Sequence, residues 1–360
     1  MGALDGIRIV EIDGLGPVPF AAMLLADMGA DVIRIARAGH NPLAEMGATV
    51  LHRGRDKLLI DLKSPDGVDA ALSLIGKADA LIEGFRPGVM ERLGLGPEIC
   101  LSRSPRLVYG RMTGWGQHGP RAMTAGHDIN YIAIAGALGA MGEAGRPPVP
   151  PLNLVGDYGG GAMMLALGVL AGVISAGRTG KGQVVDAAMT DGTAALMSLF
   201  IGYSQEGGWR RERGENLLDG SAPFYRCYAC ADGRYVAVGA LEPQFFARLL
   251  GGLGLAEETF DQHDRHGWPA MAEAFTRRFA EKARDEWAAI FAGTDACVTP
   301  VLDIDEAAHD PHNAARNTFV DVGGKRHPAP APRFSATPSA IAPAGTLTLE
   351  AALSRWGVPK

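Results

Sequence analysis

The sequence predicts an α/β protein in which a large parallel-sheet unit precedes a smaller α+β unit. The first sign is the opening pattern. "IRIVEID" is an apolar β run, "FAAMLLADMGA" has helical spacing at Ala21, Leu24, Leu25 and Met28, and "DVIRIAR" is a second strand. Strand, crossover helix and strand make a βαβ unit, which implies a parallel sheet. The second sign is composition: 47% of the residues are apolar and 21% charged, which supports a large packed core. The third is the 49 glycines, gathered in short turns such as "GLGPVP" and "GRTGKGQ" that suit many tight connections.

The alternation continues down the chain. "KLLIDL" reads as a strand, "DGVDAALSLIGKA" as a helix, "DALIEGF" as a strand, "GVMERLG" as a helix and "RLVYGRMTG" as a strand. Residues 1–190 are therefore expected to form the large domain. Residues 191–222 end in a polar, glycine-rich stretch and are expected to be a linker. "FYRCYACADGRYVAVGAL" opens a small α+β domain over 223–302 as a hairpin with Asp-Gly at its turn. Residues 303–330 read as a return linker, and 331–360 as a C-terminal segment packing back on the large domain.

Several function classes are disfavoured. The net charge is −6 with no long basic run, so no nucleic-acid partner is expected. The start lacks the charged head and unbroken apolar run of a signal peptide. The longest apolar stretch, "AMMLALGVLAGVISAG", is broken by glycine and reads as too short for a membrane span. A cytoplasmic protein without membrane partner is the expectation. Cys100, Cys227, Cys230 and Cys297 are too few and scattered for a disulfide framework. "CYAC" has no second ligand pair nearby, so it reads as strand positions and no metal is expected.

Cations collect where strands end. The first turn, "GLGPVPF", supplies Gly14 and Gly16 but lacks the third glycine of a dinucleotide-binding turn. Arg37 ends the second strand, where an arginine suits a phosphate on a ribose. Arg53, Arg55, Lys63, Arg86 and Arg92 lie near the ends of later strands. Open α/β sheets bind ligands at the carboxyl ends of their strands, so such cations point to an anion with several phosphates.

The chemical candidates lie further on. In "AGHDINY", Asp128 sits where a helix N-terminus wants an anion or cap, with His127 at the junction and main-chain N–H groups beside it. In "NLVGDYGGG", Asp157 precedes another helix among glycines that permit close approach of a ligand. Each acid is also readable as a simple cap, Asp128 more readily than Asp157. An imidazole and a carboxylate facing one carbon would form an acid/base pair. Met112, Met163, Met164, Met189 and Met197 read first as helix core, and otherwise as an adaptable wall for acyl tails.

"GHDINY", "PLNLVGDYGGG", "GKGQVVDAAMTDG", "LADMGADVIRI", "IEGFRPGVMERLGLGPE" and "RMTGWGQHGP" together resemble the α-methylacyl-CoA racemases of the family III CoA-transferase fold, from residue 4 to about 335. The resemblance implies a Rossmann-like large domain, a smaller α+β domain, and an interlocked homodimer whose subunits share each active site. It implies an acyl-CoA thioester substrate, no cofactor beyond the coenzyme A of the substrate, and no metal. The reaction would interconvert (2R)- and (2S)-2-methylacyl-CoA through an enolate. His127 and Asp157 resemble its two acid/base groups, Glu242 the glutamate that orients the histidine from the other chain, and Asn153 the support of the aspartate. The main-chain N–H of Asp128 would hold the thioester oxygen. Arg37, Ile60, Asp61, Leu62, Lys63, Gly84, Phe85, Arg86 and Arg92 fall where relatives grip the CoA nucleotide. Gly126, Asp128, Ile129, Asn130 and Tyr131 would line the thioester end. Phe85 departs from a usual tyrosine, and the 41–52 loop beside the adenine site differs from relatives. The alternative is a CoA-transferase of the same fold that uses Asp157 as nucleophile.

Overall fold

The computed structural model describes residues 1–39 and 42–358. Asn41, at the start of the loop expected beside the adenine site, and the last two residues of the C-terminal segment lie outside them. The chain divides into two units: Met1–Ala137 with Pro151–Ser198 and Asn317–Lys360, and Leu138–Pro150 with Leu199–Arg316.

In the first unit six parallel strands, β1 (Arg8–Ile12), β2 (Asp31–Ala36), β3 (Arg55–Leu59), β4 (Ala80–Glu83), β5 (Val108–Thr113) and β6 (Gln183–Ala188), lie in the order 3-2-1-4-5-6. Ile9 of β1 stands between Val32 of β2 and Ala80 of β4. Helices cover such a sheet on both faces, so its strands are near-continuous apolar runs. Val10, Ile33 and Leu81 pack into one core, and Ile9, Val32 and Ile82 into another. The order reverses between β1 and β4, which opens a crevice beyond their carboxyl ends.

A seventh strand escapes the sequence reading. Gly345–Leu347 pairs in parallel with β3 at the sheet edge, and three residues in a proline-rich stretch show no period to detect. The helix Leu349–Arg355 follows, and the Trp356 indole N–H donates to Asp31 Oδ2 at 2.8 Å. The 191–222 stretch also differs from a plain linker. It begins inside the helix Met189–Leu196 and continues through the helix Ser198–Gln205.

The apolar stretch read as too short for a span is part of one helical run, Leu154–Thr179. At 26 residues, with mean hydropathy 1.8 in its most apolar window, it is long and apolar enough to cross a membrane. The glycines that look like breaks let it lie close on the sheet. A β-carbon at Gly168 would stand 2.5 Å from Val185 of β6, and one at Gly172 2.7 Å from Val108 of β5. The first turns of the run press equally hard on the helix Met189–Leu196. A β-carbon at Gly192 would stand 1.8 Å from the Gly160 carbonyl oxygen. Gly192→Ala is therefore expected to cost about 1–3 kcal/mol or more through overpacking. A denaturant midpoint equal to that of the wild type would contradict this contact.

Two of the cations assigned to an anion site are corrected by the structure. Arg53 donates to Asp27 in a bidentate pair buried on both sides. Arg55, with its side chain wholly buried, donates to both oxygens of the equally buried Glu11, at 2.7 and 2.6 Å, and to the Leu51 carbonyl. Neither is left for a ligand, because buried charges must be paired.

The second unit carries an antiparallel sheet of β7 (Tyr225–Ala229), β8 (Tyr235–Gly239) and β9 (Val298–Pro300). Gly233 takes φ +73° at the β7–β8 turn, where a side chain would be strained. The helices Pro243–Gly252, Trp268–Phe279 and Arg284–Phe291 enclose an aromatic core in which Tyr228 stacks on Phe279 at 5.0 Å. Cys227 is exposed and Cys230 buried, both as free thiols.

Candidate active site

The crevice is built from the loops that leave β1, β4 and β5. After β1, Gly16 takes φ +69°, and a β-carbon there would stand 3.1 Å from Asp157 Oδ2. Only glycine suits that backbone and that closeness. After β4, a β-carbon at Gly84 would stand 2.9 Å from Val18 Cγ2, so this turn also runs against its neighbour. Its next residue, Phe85, donates its main-chain N–H to Glu83 Oε2 at 2.6 Å. Burial pushes the Glu83 carboxyl up to about 7, against the opposing pull of Phe85 N–H and Arg111. After β5, the Trp115 ring meets Tyr131 edge-on at 4.7 Å, and the Tyr131 hydroxyl donates to the Gly126 carbonyl.

His127 has extended backbone and is the N-cap residue of the helix Asp128–Ile134, its main-chain N–H donating to Asn130 Oδ1 at 3.0 Å. Its side chain is exposed and lines the cavity. Asp128, expected as the cap, is instead the first helical residue and is 7% exposed. Its Oδ2 accepts the main-chain N–H of Asp157 at 2.7 Å.

Asp157 does not precede a helix, as the sequence suggests, but lies inside one. Leu154–Ala162 winds as a π-helix before passing into the helix Met163–Thr179. Such wide turns are rare and recur at functional sites. Asn153 Nδ2 donates to Asp157 Oδ2 at 3.2 Å. Burial raises the Asp157 carboxyl above its ordinary range and the nearby Asp128 carboxylate adds to this, while the Asn153 hydrogen bond and the His127 imidazole oppose it.

These groups share one cavity of about 910 Å³. Of the expected site residues, His127, Asp157, Asn153, Gly126, Tyr131, Gly84, Phe85 and Arg86 line it. Met112 and Met189 line it too, whereas Met163 is exposed elsewhere. Arg37, Asp61, Lys63, Arg92, Ile129 and Asn130 are exposed but do not line it, and Leu62 is half-buried. The Ile60 side chain belongs to the core. Glu242 is exposed in the second unit, at the head of the helix Pro243–Gly252. Among the described residues no His, Cys, Asp and Glu cluster could hold a metal ion.

A family model described as CoA-transferase family III matches residues 4–345. The chain belongs to CoA-transferase family III. The family III match takes in both units and every candidate residue, Glu242 included. Among relatives, the α-methylacyl-CoA racemase of Mus musculus is 48% identical over 93% of this chain and 87% of its own. That of Homo sapiens is 47% identical over 94% and 88%. A crystal structure of a CaiB/BaiF family protein from Brucella suis has the same fold, with a TM-score of 0.84 over 99% of this chain and 100% of its own, at 24% identity.

The structure adds a residue that sequence reasoning missed. His52 lines the cavity, and Arg34 Nη1 lies 2.9 Å from its Nε2 while also pairing with Asp13 at 3.1 Å. Burial, with the Arg34 guanidinium beside it, pushes His52 down to about 3, so it faces the cavity neutral. Nothing in "VLHRGRDK" marks it, because the controlling cation lies on β2.

Proposed function

We propose that the protein is an α-methylacyl-CoA racemase, interconverting (2R)- and (2S)-2-methylacyl-CoA thioesters by proton transfer at the α-carbon. The observation that carries this reading is that His127 and Asp157, from separate elements, line one cavity beside a helix N-terminus. The kinship with racemases at 48% identity supports it.

An α-proton next to a thioester is hard to remove, and the enzyme must stabilise the enolate more than the substrate. The first amides of the helix Asp128–Ile134 have no acceptor within that helix. In this reading the Asp128 N–H holds the thioester oxygen as charge develops, worth about 3–4 kcal/mol per donor in comparable sites. One of His127 and Asp157 takes the proton from one face while the other returns a proton to the opposite face. Burial that raises Asp157 helps it hold the proton it must give. Proton transfer moves no electron pair to a carrier, so the reading calls for no cofactor beyond the substrate's coenzyme A. Arg86 at the cavity wall, with exposed Arg37, Lys63 and Arg92, would grip the phosphates. An interlocked homodimer would bring in Glu242 from the second chain to orient His127.

The second reading is a CoA-transferase in which Asp157 attacks the thioester; the family's name and the cavity-lining carboxylate favour it. It leaves His127 without a task. In heavy water, with a 2-methylacyl-CoA and nothing else added, the recovered thioester is expected to carry deuterium at the α-carbon in both configurations. An unlabelled thioester together with a covalent CoA adduct on Asp157 would select the transferase.

A further inference from the structure

The carboxylate of Asp128 is placed for more than capping. Its Oδ2 takes the Asp157 main-chain N–H at 2.7 Å, across 29 residues of chain. A β-carbon at Gly156 would stand 2.5 Å from that oxygen, so a glycine there lets the two elements meet. The residue is 7% exposed, and its Oδ1 has no hydrogen-bond partner among the described residues. Burying a half-satisfied carboxylate costs free energy that a plain helix cap does not require.

We propose that Asp128 is a positioning residue whose carboxylate ties the Asp157 main chain to the residue next to His127 and sets a fixed negative charge beside Asp157. This rests on His127 and Asp157 being the proton-transfer pair. One side chain then fixes the spacing of both groups, since His127 and Asp128 are neighbours at one helix start.

The groups facing Asp157 are few. Asn153 donates to it from its own segment, and His127 and Asp128 act on it from the Asp128–Ile134 helix start with opposite sign. Tyr131 of that helix is raised by burial and then by Asp157, with Arg86 opposing. The Pro17–Asp27 helix offers Phe20, stacked on Tyr158 at 4.2 Å, and the Met189–Leu196 helix offers Met189 and Thr193 against glycines. None of these last three titrates.

Asp128→Asn keeps an acceptor for the Asp157 N–H and removes the charge; Asp128→Ala removes both. The full chain is to be followed in two ways: the pH dependence of kcat/KM for α-deuterium exchange, and carbon-13 titration of aspartate carboxyls without ligand. Asp157 is assigned by the resonance lost in Asp157→Asn. In Asp128→Asn the Asp157 titration is expected to move to lower pH, carrying with it the acid limb of the kcat/KM profile. In Asp128→Ala kcat is expected to fall about 10²-fold, with KM within about threefold, because small misplacements of reacting groups are costly. A residue that merely stabilises the fold would leave the titration unmoved. An Asp157 titration unchanged in Asp128→Asn overturns the proposal, and that variant decides should the alanine protein not fold. Absence of exchange in the wild type would instead overturn the racemase reading, while the carbon-13 titration still judges Asp128.

Discussion

His127→Ala and Asp157→Ala are each expected to lower racemisation by about 10²–10⁴-fold while leaving affinity for a CoA ester within a few-fold. The two side chains line one cavity, and their assigned task is moving the proton rather than holding the nucleotide. Loss should therefore appear in kcat and kcat/KM together, the mark of an interaction made in the transition state. Inversion needs both groups, so the double variant should be little worse than either single one. Chiral separation of the thioesters measures the rate, and calorimetry with a non-reacting CoA ester measures the affinity. An Asp157→Ala protein that racemised within about tenfold of the wild type would remove the carboxyl from its assigned role.

Glu11→Gln is expected to destabilise the fold by about 3–5 kcal/mol, because it leaves the guanidinium of Arg55 buried without its counter-charge. Both side chains are fully buried, and Arg55 Nε already lacks a hydrogen-bond partner among the described residues. Arg34, on the neighbouring strand beside Glu11, adds a second positive charge that the variant leaves less compensated. The pair spans 44 residues, joining β1 to the edge of β3, and Arg55 also holds the Leu51 carbonyl just before cavity-lining His52. Replacing both Glu11 and Arg55 by methionine should recover much of the loss, since an apolar pair of similar volume needs no desolvation. Urea midpoints at constant slope measure the effect. A loss below about 1 kcal/mol for Glu11→Gln would mean that water reaches the pair.

The parallel sheet was legible because strands buried on both faces read as apolar runs: Ile9, Val10 and Ile12, then Val32, Ile33 and Ile35. The position of His127 at a helix start was legible from "GHDINY", and its place in a cavity with Asp157 follows the shared motif. The winding around Asp157 was not, because nine residues with four glycines carry no signal that separates a π turn from an α turn. Nor could composition tell a cation facing a ligand from one facing a buried acid. Arg53 and Arg55 look like Arg86 in the sequence, and their partners Asp27 and Glu11 are 26 and 44 residues away. The grip of Asp128 on Asp157 was hidden for the same reason.

The strand Gly345–Leu347 closes the edge of a sheet whose other six members are complete by Ala188. On the ribosome, β3, paired on one side with β2, must therefore wait with the N–H and C=O groups of its other side unpaired while Leu199–Arg316 of the second unit is being synthesised. An open strand edge is a template for pairing with another chain. Nascent molecules crowded on one messenger would be most prone to stick together during that interval, and release of the C-terminal segment ends it.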